Sequence, residues 1–198
     1  NLVTGTTVDY TTEATATATT ISLGKADIYK LSNVMMSANA FGTAYTSTNA
    51  IDITDRFTLD NGQRTTFYDV GSITIKPGYE KPSGPIRINY DYFTHDAGDY
   101  FSVESYTDVD YKDIPVVTLS GTSYALSDCL DFRSRINDAG TGFSGSGSST
   151  TEFPDTSTDI LTDYSYYLPR IDKIVLDRIG KIRVVNGISS LHPVEPRS

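Results

Sequence analysis

The feature of this chain that most constrains its fold is a two-residue alternation of apolar and polar side chains in short segments. It is clearest in the segment IRINYDYF, residues 86–93. A period of two places alternate side chains on opposite faces of an extended strand, whereas a helix face repeats about every 3.6 residues. One face carries Ile86, Ile88, Tyr90 and Tyr92, and the other carries Arg87, Asn89, Asp91 and Phe93. We therefore predict a half-buried strand of an antiparallel sheet.

Similar segments recur along the chain and are separated by Gly, Pro and Asp. The segments predicted to be extended are 26–36, 51–59, 71–78, 100–106, two pieces within 114–136, and the hairpin strands 171–177 and 181–186. Asp60, Asn61 and Gly62 predict a tight turn that needs a positive φ, and Gly180 predicts the turn of the last hairpin. We expect residues 86–93 to pair with 72–76 or 100–106 in an antiparallel meander. The predicted fold class is all-β, an antiparallel β-sandwich-like domain.

The chain is predicted to have three parts. Residues 1–24 form an extended N-terminal arm or linker, because the alternation in EATATATTISL, residues 13–23, suits a strand of which neither face is apolar enough to bury itself. Such an arm is either loosely ordered or paired against a sheet edge, including one in a neighbouring chain. Residues 25–193 form the β-rich structural domain, and residues 194–198 form a tail. Within the domain, the Gly/Ser-rich residues 138–151 predict a long flexible surface loop.

The charge of the chain excludes some kinds of partner. The formal net charge is −9, and a protein that grips nucleic acid or an anionic membrane needs a surplus of Lys and Arg. No run of about 18 apolar residues predicts a transmembrane helix, and the first residues do not resemble a signal peptide. Because the chain begins at Asn rather than Met, we expect it to be part of a longer protein. The predicted partners include neither nucleic acid nor membrane.

Few residues of the chain are candidates for nucleophilic or metal chemistry. Cys129 is the only cysteine, and its neighbours Asp128 and Asp131 disfavour a thiolate, so we interpret it as a small buried hydrophobe. His95 and His192 lie in a predicted turn and in the tail, where we expect surface histidines. None of the common hydrolase, zinc-protease, P-loop or dinucleotide-binding motifs is present.

One group of acidic residues is a candidate for binding a metal ion. Asp108, Asp110 and Asp113 offer oxygen ligands to Ca²⁺, but the segment lacks the glycine and final glutamate of an EF-hand loop and contains Lys112.

The four-residue spacing of Asp155, Asp159 and Asp163 suits a helix face, or a solvated loop exit. We predict no catalytic, cofactor-binding or metal-binding residue, and no cofactor.

Arg170, Asp172 and Lys173 lie at the start of the last hairpin, where they either fix its register through ion pairs or are solvent-facing strand ends.

Several longer segments resemble a known class of protein. They are DITDRFTLDNGQRTTFYDVGSITIKPGYEKPSGPIRINYDYFTHDAGDYFSVESY, YKDIPVV, LSDCLDFRSRI and YYLPRIDKIVLDRIGKIRVVNGIS. They resemble a recurring module in the large virion structural proteins of T4-like marine bacteriophages, especially cyanophages, over about residues 50 to 190. The resemblance implies a β-rich building block of a phage tail, baseplate or fibre, located in the virion, with no catalytic residues to carry over.

Three functions follow as expectations. The first is a non-enzymatic structural component of a tailed-phage virion that contacts other virion proteins and copies of itself. The second is a carbohydrate-binding module for host adsorption, since abundant Tyr and Asp suit sugar binding and a host surface glycan would be its ligand. The third is an enzyme that cleaves glycans, because paired carboxylates leave no local spacing in a sequence.

Overall fold

A computed structural model describes residues 1–151, 157, 159, 161, 163 and 166–197. The chain divides into two compact units, Asn1–Phe153 and Pro154–Ser198.

Eleven strands and one short α-helix lie in the described part of the first unit. They are β1 (Leu2–Tyr10), α1 (Glu13–Ala16), β2 (Thr20–Ala26), β3 (Ile28–Met36), β4 (Ile51–Asp52), β5 (Phe57–Asp60), β6 (Phe67–Tyr68), β7 (Val70–Ile75), β8 (Ile86–Phe93), β9 (Val116–Leu119), β10 (Thr122–Ala125) and β11 (Ser134–Arg135). The predicted strands in 26–36, 71–78 and 86–93 are confirmed, as are two extended pieces within 114–136. The segment 51–59 is extended only in part, because Thr54–Arg56 is a 3-10 helix between β4 and β5.

Strand β8 is at the centre of a four-stranded antiparallel sheet with the order β1-β8-β3-β4. Ile88 is fully buried and lies between Val8 of β1 and Val34 of β3. Of the face predicted to be apolar, Ile86, Ile88 and Tyr90 are buried in the core and Tyr92 is half-buried against it. Asp91 and Phe93, predicted on the opposite face, are buried as well. The predicted partners of β8 were wrong, because they were chosen by nearness in sequence and β8 pairs with two strands that precede it by long stretches of chain.

A second antiparallel sheet has the order β2-β7-β5. Its central residue Ile73 is fully buried between Ile21 and Leu59. The buried apolar side chains of the two sheets form one core cluster, which contains Ala16, Ile21, Leu23, Ile28, Val34, Met36, Ile53, Phe57, Ile73, Ile86, Ile88 and Tyr90. The protein is nearly all β and sandwich-like, as predicted.

The segment 100–106 does not form the predicted strand. Phe101 makes an isolated bridge to Asp131, and Val103–Ser105 is a short 3-10 helix. Ser102 and Ser105 form a capping box at the start of this turn, in which each hydroxyl accepts a hydrogen bond from the backbone amide of the other residue. Serine hydroxyls compete for backbone hydrogen bonds in this way, which overrides the weak alternation of the segment.

The predicted arm, residues 1–24, supplies strands to both sheets of the first unit. Strand β1 covers the edge of the large sheet by pairing with β8, and β2 pairs with β7, so the expected boundary at residue 24 lies inside β2. The extended conformation predicted for 13–23 is wrong at α1, where Ala16 is fully buried in the core. Its small side chain allows a helical turn to pack closely, which an alternation of Thr and Ala does not reveal.

The Gly/Ser-rich loop is held by polar contacts. Asn137 Nδ2 donates to the Ser144 carbonyl oxygen at 2.8 Å, and its Oδ1 accepts from the Thr141 amide at 3.0 Å. Arg135 is almost fully buried and donates to the Gly147 carbonyl. Hydrogen bonds to buried side chains thus order a loop that has too few apolar groups to order itself.

The second unit contains the hairpin of β12 (Lys173–Leu176) and β13 (Ile182–Val185), as predicted. Gly180 has a φ of +79° in the turn, and Asp177 Oδ1 accepts hydrogen bonds from the Ile179 and Lys181 amides at 3.0 and 2.9 Å. An Asp that bonds to amides following it stabilises such a turn. Among the described residues of the whole chain, no helix is long and apolar enough to cross a membrane.

Candidate binding site

Asp27 is the single residue between β2 and β3, and it starts a buried polar network. Its φ is +56°, a conformation that Asp adopts more readily than most side chains. Its carbonyl oxygen accepts a hydrogen bond from the Phe93 amide at 3.0 Å, which ties this corner to the end of β8. The carboxylate of Asp27, at the corner between β2 and β3, therefore lies in the interior beside the residues that follow β8.

His95 is buried against this carboxylate. Its side chain is only 7% exposed, and its Nε2 lies 2.6 Å from Asp27 Oδ2. The rings of Tyr68 and Phe101 pack edge-on against the imidazole, with centroids 4.5 and 4.8 Å away. The prediction of a surface histidine was wrong, because the local turn residues gave no sign of a partner from the distant β2–β3 corner.

Gln63 links Asp27 to a second charged pair. Its Nε2 donates to Asp27 Oδ1 at 2.7 Å, and its Oε1 accepts from an Arg133 terminal nitrogen at 2.7 Å. Arg133 in turn holds Asp131 through two hydrogen bonds of 2.9 and 2.7 Å. Both oxygens of each carboxylate are thus engaged, which is what burial of a charge requires.

Tyr68 closes the network. Its hydroxyl donates to Asp131 and accepts from Arg133 at 2.9 Å, and the Arg133 guanidinium lies 4.2 Å from the centre of its ring. Burial, together with the charges of Asp27 and Asp131, raises the pKa of Tyr68 well above its usual value. Burial opposes the charge of Asp131, but the hydrogen bonds from Arg133 and Tyr68 outweigh it and lower the pKa of this carboxyl. At neutral pH the Tyr68 hydroxyl therefore stays protonated and the Asp131 carboxyl stays ionised.

A cavity of about 260 Å³ adjoins the network. Six rings line it, those of Tyr68, Phe93, His95, Tyr100, Phe101 and Tyr106. Its acidic side chains are Asp27, Asp96 and Asp108. No lysine or arginine side chain is among the described residues that line it. Burial and the charges of Asp27 and Asp131 raise the pKa of the Tyr106 hydroxyl, which stays protonated.

The surroundings of Cys129 disfavour a thiolate. The thiol is half-buried and donates to the Ala125 carbonyl oxygen at 3.2 Å. Burial, and then the charges of Asp131 and Asp128, raise its pKa. The predicted effect of the acidic neighbours is confirmed, whereas the side chain is less buried than expected. His192, the second histidine, is exposed.

The described members of the two acidic groups do not form a metal site. Asp108 borders the cavity, Asp110 lies 3.6 Å from Lys112, and Asp113 is exposed. Asp159 and Asp163 are exposed. Asp155 lies outside the described residues. Within the described ranges, no three His, Cys, Asp or Glu side chains are grouped to hold a metal ion.

The charged residues at the start of the last hairpin form local pairs. Asp172 accepts from the Gly187 amide at 2.9 Å and from the Arg170 guanidinium at 2.9 Å, and these hydrogen bonds lower its pKa. Lys173 lies 2.9 Å from Glu195, beyond the second strand. Neither ion pair joins the two strands, and the three side chains are partly exposed, which agrees with the interpretation of Arg170, Asp172 and Lys173 as solvent-facing strand ends.

Sequence reasoning missed Asp27, Gln63, Tyr68 and Arg133 as site residues. The available signal was the pattern in LDFRSRI, where Arg133 and Arg135 share one side of an extended segment. Both are buried. Because a buried arginine needs a carboxylate partner, the segment predicts a polar core network, although it does not name the distant partners.

One face of the β12–β13 hairpin is apolar and exposed. Ile174 is paired with Val184 and Leu176 with Ile182, and these four side chains are between 60% and 77% exposed. Four large apolar side chains that are neighbours on one surface are typical of an interaction site.

Fold and site together describe an all-β sandwich-like domain with a buried charged network, a small aromatic cavity and a separate apolar hairpin. Residues 109–198 match the profile of a family described as a domain of unknown function, DUF4815. The match covers less than half of the chain and includes both the β9–β10 and the β12–β13 hairpins. Searches of curated proteins and of solved structures find no match.

Proposed function

We propose that this protein is a non-enzymatic structural component of a tailed-phage virion, which assembles through the apolar face of the β12–β13 hairpin. The exposed cluster of Ile174, Leu176, Ile182 and Val184 is the observation that carries the proposal. A two-stranded hairpin is marginally stable alone in water. Burying one such side chain is worth about 1.5 to 3 kcal/mol. A partner that covers the face therefore stabilises the hairpin and the assembly together.

The charges of the two units favour a second copy of this chain as the partner that covers the apolar face of the hairpin. Residues 154–198 contain six acidic and six basic side chains, whereas residues 1–153 contain nineteen acidic and ten basic ones. Two copies that meet through the neutral unit avoid the repulsion that two acidic units would feel, since a net charge near zero promotes association. The face itself carries no charged residue, so it is complementary to itself.

The resemblance of the chain to virion proteins supports the tail, baseplate or fibre as the setting. Such particles are built from symmetric repeats, for which a surface that pairs with its own copy is suited. Sheet edges and apolar patches supply contact area in such assemblies.

Light scattering on the purified chain over a range of concentrations tests self-association. We expect an oligomer that dissociates on dilution, and at least a tenfold weaker association for Ile182→Ser, corresponding to about 1.4 kcal/mol. The matched control is Arg183→Ser, one residue further along β13 on the opposite face, which should associate as the wild type does. A wild-type chain that stays monomeric at the highest concentration would count against the proposal.

Carbohydrate binding by a host-adsorption module stays a second prediction from the sequence. A glycan array probed with the purified chain tests it. If the chain binds none of the host lipopolysaccharides, the prediction of an adsorption function is wrong, and the proposed assembly function is unaffected.

A further inference from the structure

We propose that the cavity between His95 and Tyr106 binds a primary ammonium group. The proposal concerns a ligand site in the first unit, and it does not depend on the assembly proposed for the hairpin.

The charges around the cavity select a cation. Asp27, Asp96 and Asp108 contribute carboxylates to its lining, and no described lining residue is a lysine or arginine. The amino group of Asn1 also borders it and donates to the Thr94 carbonyl oxygen at 2.7 Å, so three carboxylates share the lining with one positive charge. Arg133, which stacks on the Tyr68 ring, is ion-paired with Asp131. The lining therefore has a net negative charge, which favours a cation over an anion.

The aromatic residues that line the cavity also favour a cation as the ligand. A cation is attracted to the face of an aromatic ring, by about 0.5 to 2 kcal/mol according to how far it is desolvated. Tyr100, Phe101 and Tyr106 line the cavity together with Tyr68 and Phe93. Several rings around one small space, with carboxylates beside them, form the kind of cage that binds ammonium ions.

An unpaired acceptor distinguishes a primary ammonium from a quaternary one. His95 Nε2 faces the carboxylate of Asp27, which can only accept, so in the neutral ring the hydrogen is on Nε2 and Nδ1 carries a lone pair. Nδ1 is buried and has no hydrogen-bond partner among the described residues. An unmet buried acceptor is unfavourable. A ligand that brings N–H donors satisfies it, whereas a tetramethylammonium ion has none.

The size of the cavity limits the ligand to a small one. An apolar cavity of about 150 Å³ accepts benzene, and this cavity measures about 260 Å³. A short alkylammonium chain, such as a lysine side chain or a diamine, or a single amino sugar ring is therefore of suitable size.

Titration of the full chain followed by amide NMR tests the proposal. The probes are n-butylammonium chloride, its neutral analogue n-butanol, tetramethylammonium chloride, and the pair glucosamine and glucose. We expect n-butylammonium to shift the amide signals of His95 and Tyr106 and to bind at least tenfold more tightly than n-butanol or tetramethylammonium. Among the sugars, glucosamine should bind in preference to glucose if amino sugars are the natural source, and only n-butylammonium should bind if alkyl chains are.

Two neighbouring acids give a matched pair of variants. Asp108→Asn removes a carboxylate from the cavity wall and should weaken n-butylammonium binding about fivefold, whereas Asp110→Asn removes one that lies outside the lining and should leave it unchanged. Both residues are exposed, so neither variant threatens folding. Equal binding of n-butylammonium and n-butanol, glucose binding as strong as glucosamine, equal effects of the two variants, or no shift with any amine would overturn the proposal.

Discussion

Two hydrogen bonds, 2.9 and 2.7 Å long, join the carboxylate of Asp131 to the guanidinium of Arg133 in the interior of the first unit. Both side chains are about nine-tenths buried. Arg133 also donates to Gln63 and to the Arg64 carbonyl oxygen, so this one side chain connects residues 131–133 to residues 63–64. A buried pair of this kind is strongly destabilising to break, whatever its net contribution when intact.

Replacing Arg133 by methionine should therefore lower the free energy of unfolding by about 3 to 5 kcal/mol, since it leaves Asp131 buried without its counter-charge. Urea denaturation followed by circular dichroism measures the loss. The control is Arg87→Met, which breaks the more exposed pair with Asp9 and should cost no more than about 1 kcal/mol. Similar losses for the two variants would contradict the role given to Arg133.

Asp131 should make the stability of the folded chain depend on pH in the acid range. Its pKa is lower in the folded chain than the ordinary value of 3.8, so in acid the unfolded chain binds more protons and stability falls as the pH drops through and below 3.8. Above that value the contribution is fully present. Urea unfolding between about pH 5 and pH 3 should show a shallower decline for Asp131→Asn than for the wild type. An unchanged slope would mean that Asp131 does not titrate differently on folding.

Two glycines with almost the same φ should differ in tolerance to alanine. Gly62 (φ +83°) has the Asp69 carbonyl oxygen where a Cβ would be placed, whereas Gly121 (φ +84°) has no atom within 4 Å of that position. Gly121→Ala should cost only the left-handed conformation, about 1 to 2 kcal/mol. Gly62→Ala must also displace backbone and should cost at least about 3 kcal/mol. Thermal unfolding of the two variants measures the difference, and equal melting temperatures would refute it.

Truncating a buried and an exposed apolar side chain should separate folding from assembly. Ile88→Ala leaves a cavity between two sheets and should lower the free energy of unfolding by about 2 to 5 kcal/mol. Leu176→Ala, at a position 70% exposed, should leave the unfolding of the monomeric chain nearly unchanged and weaken self-association. Denaturation at low concentration combined with sedimentation at high concentration distinguishes the two. A large loss of monomer stability for Leu176→Ala would show that its face is covered within the chain.

The strands of this fold could be predicted where one face is buried and the other is wet. Ile86, Ile88 and Tyr90 show the pattern in β8. The β12–β13 hairpin is predicted by Gly180 and by the alternation of apolar and polar residues on either side of it. The pairing of strands could not be predicted, because Val8 and Val34 flank Ile88 through contacts between distant parts of the chain. Local patterns set the conformation of a segment, and long-range packing sets its neighbours.

The candidate site was hidden from the sequence for the same reason. His95 lies among Asp, Gly and Ala residues that predict a surface turn, and its burial depends on Asp27 and Tyr68, which come from elsewhere in the chain. The effect of Asp128 and Asp131 on the pKa of Cys129 could be predicted, since those neighbours are adjacent in sequence. Electrostatic effects between residues that are close in sequence can be predicted from the sequence. Those between residues that are distant in sequence can be predicted only once the fold is known.

The single-residue link at Asp27 also sets where the first unit accepts added residues. One left-handed residue joins the last residue of β2 to the first of β3, and its carboxylate is held by Gln63 and His95, so an insertion there would separate two sheets and break the polar network at once. The turn at Ser120 and Gly121 is open on its outer side. An epitope tag or a fluorescent label placed at that turn would leave the sandwich intact, which makes it the natural point of attachment for a label.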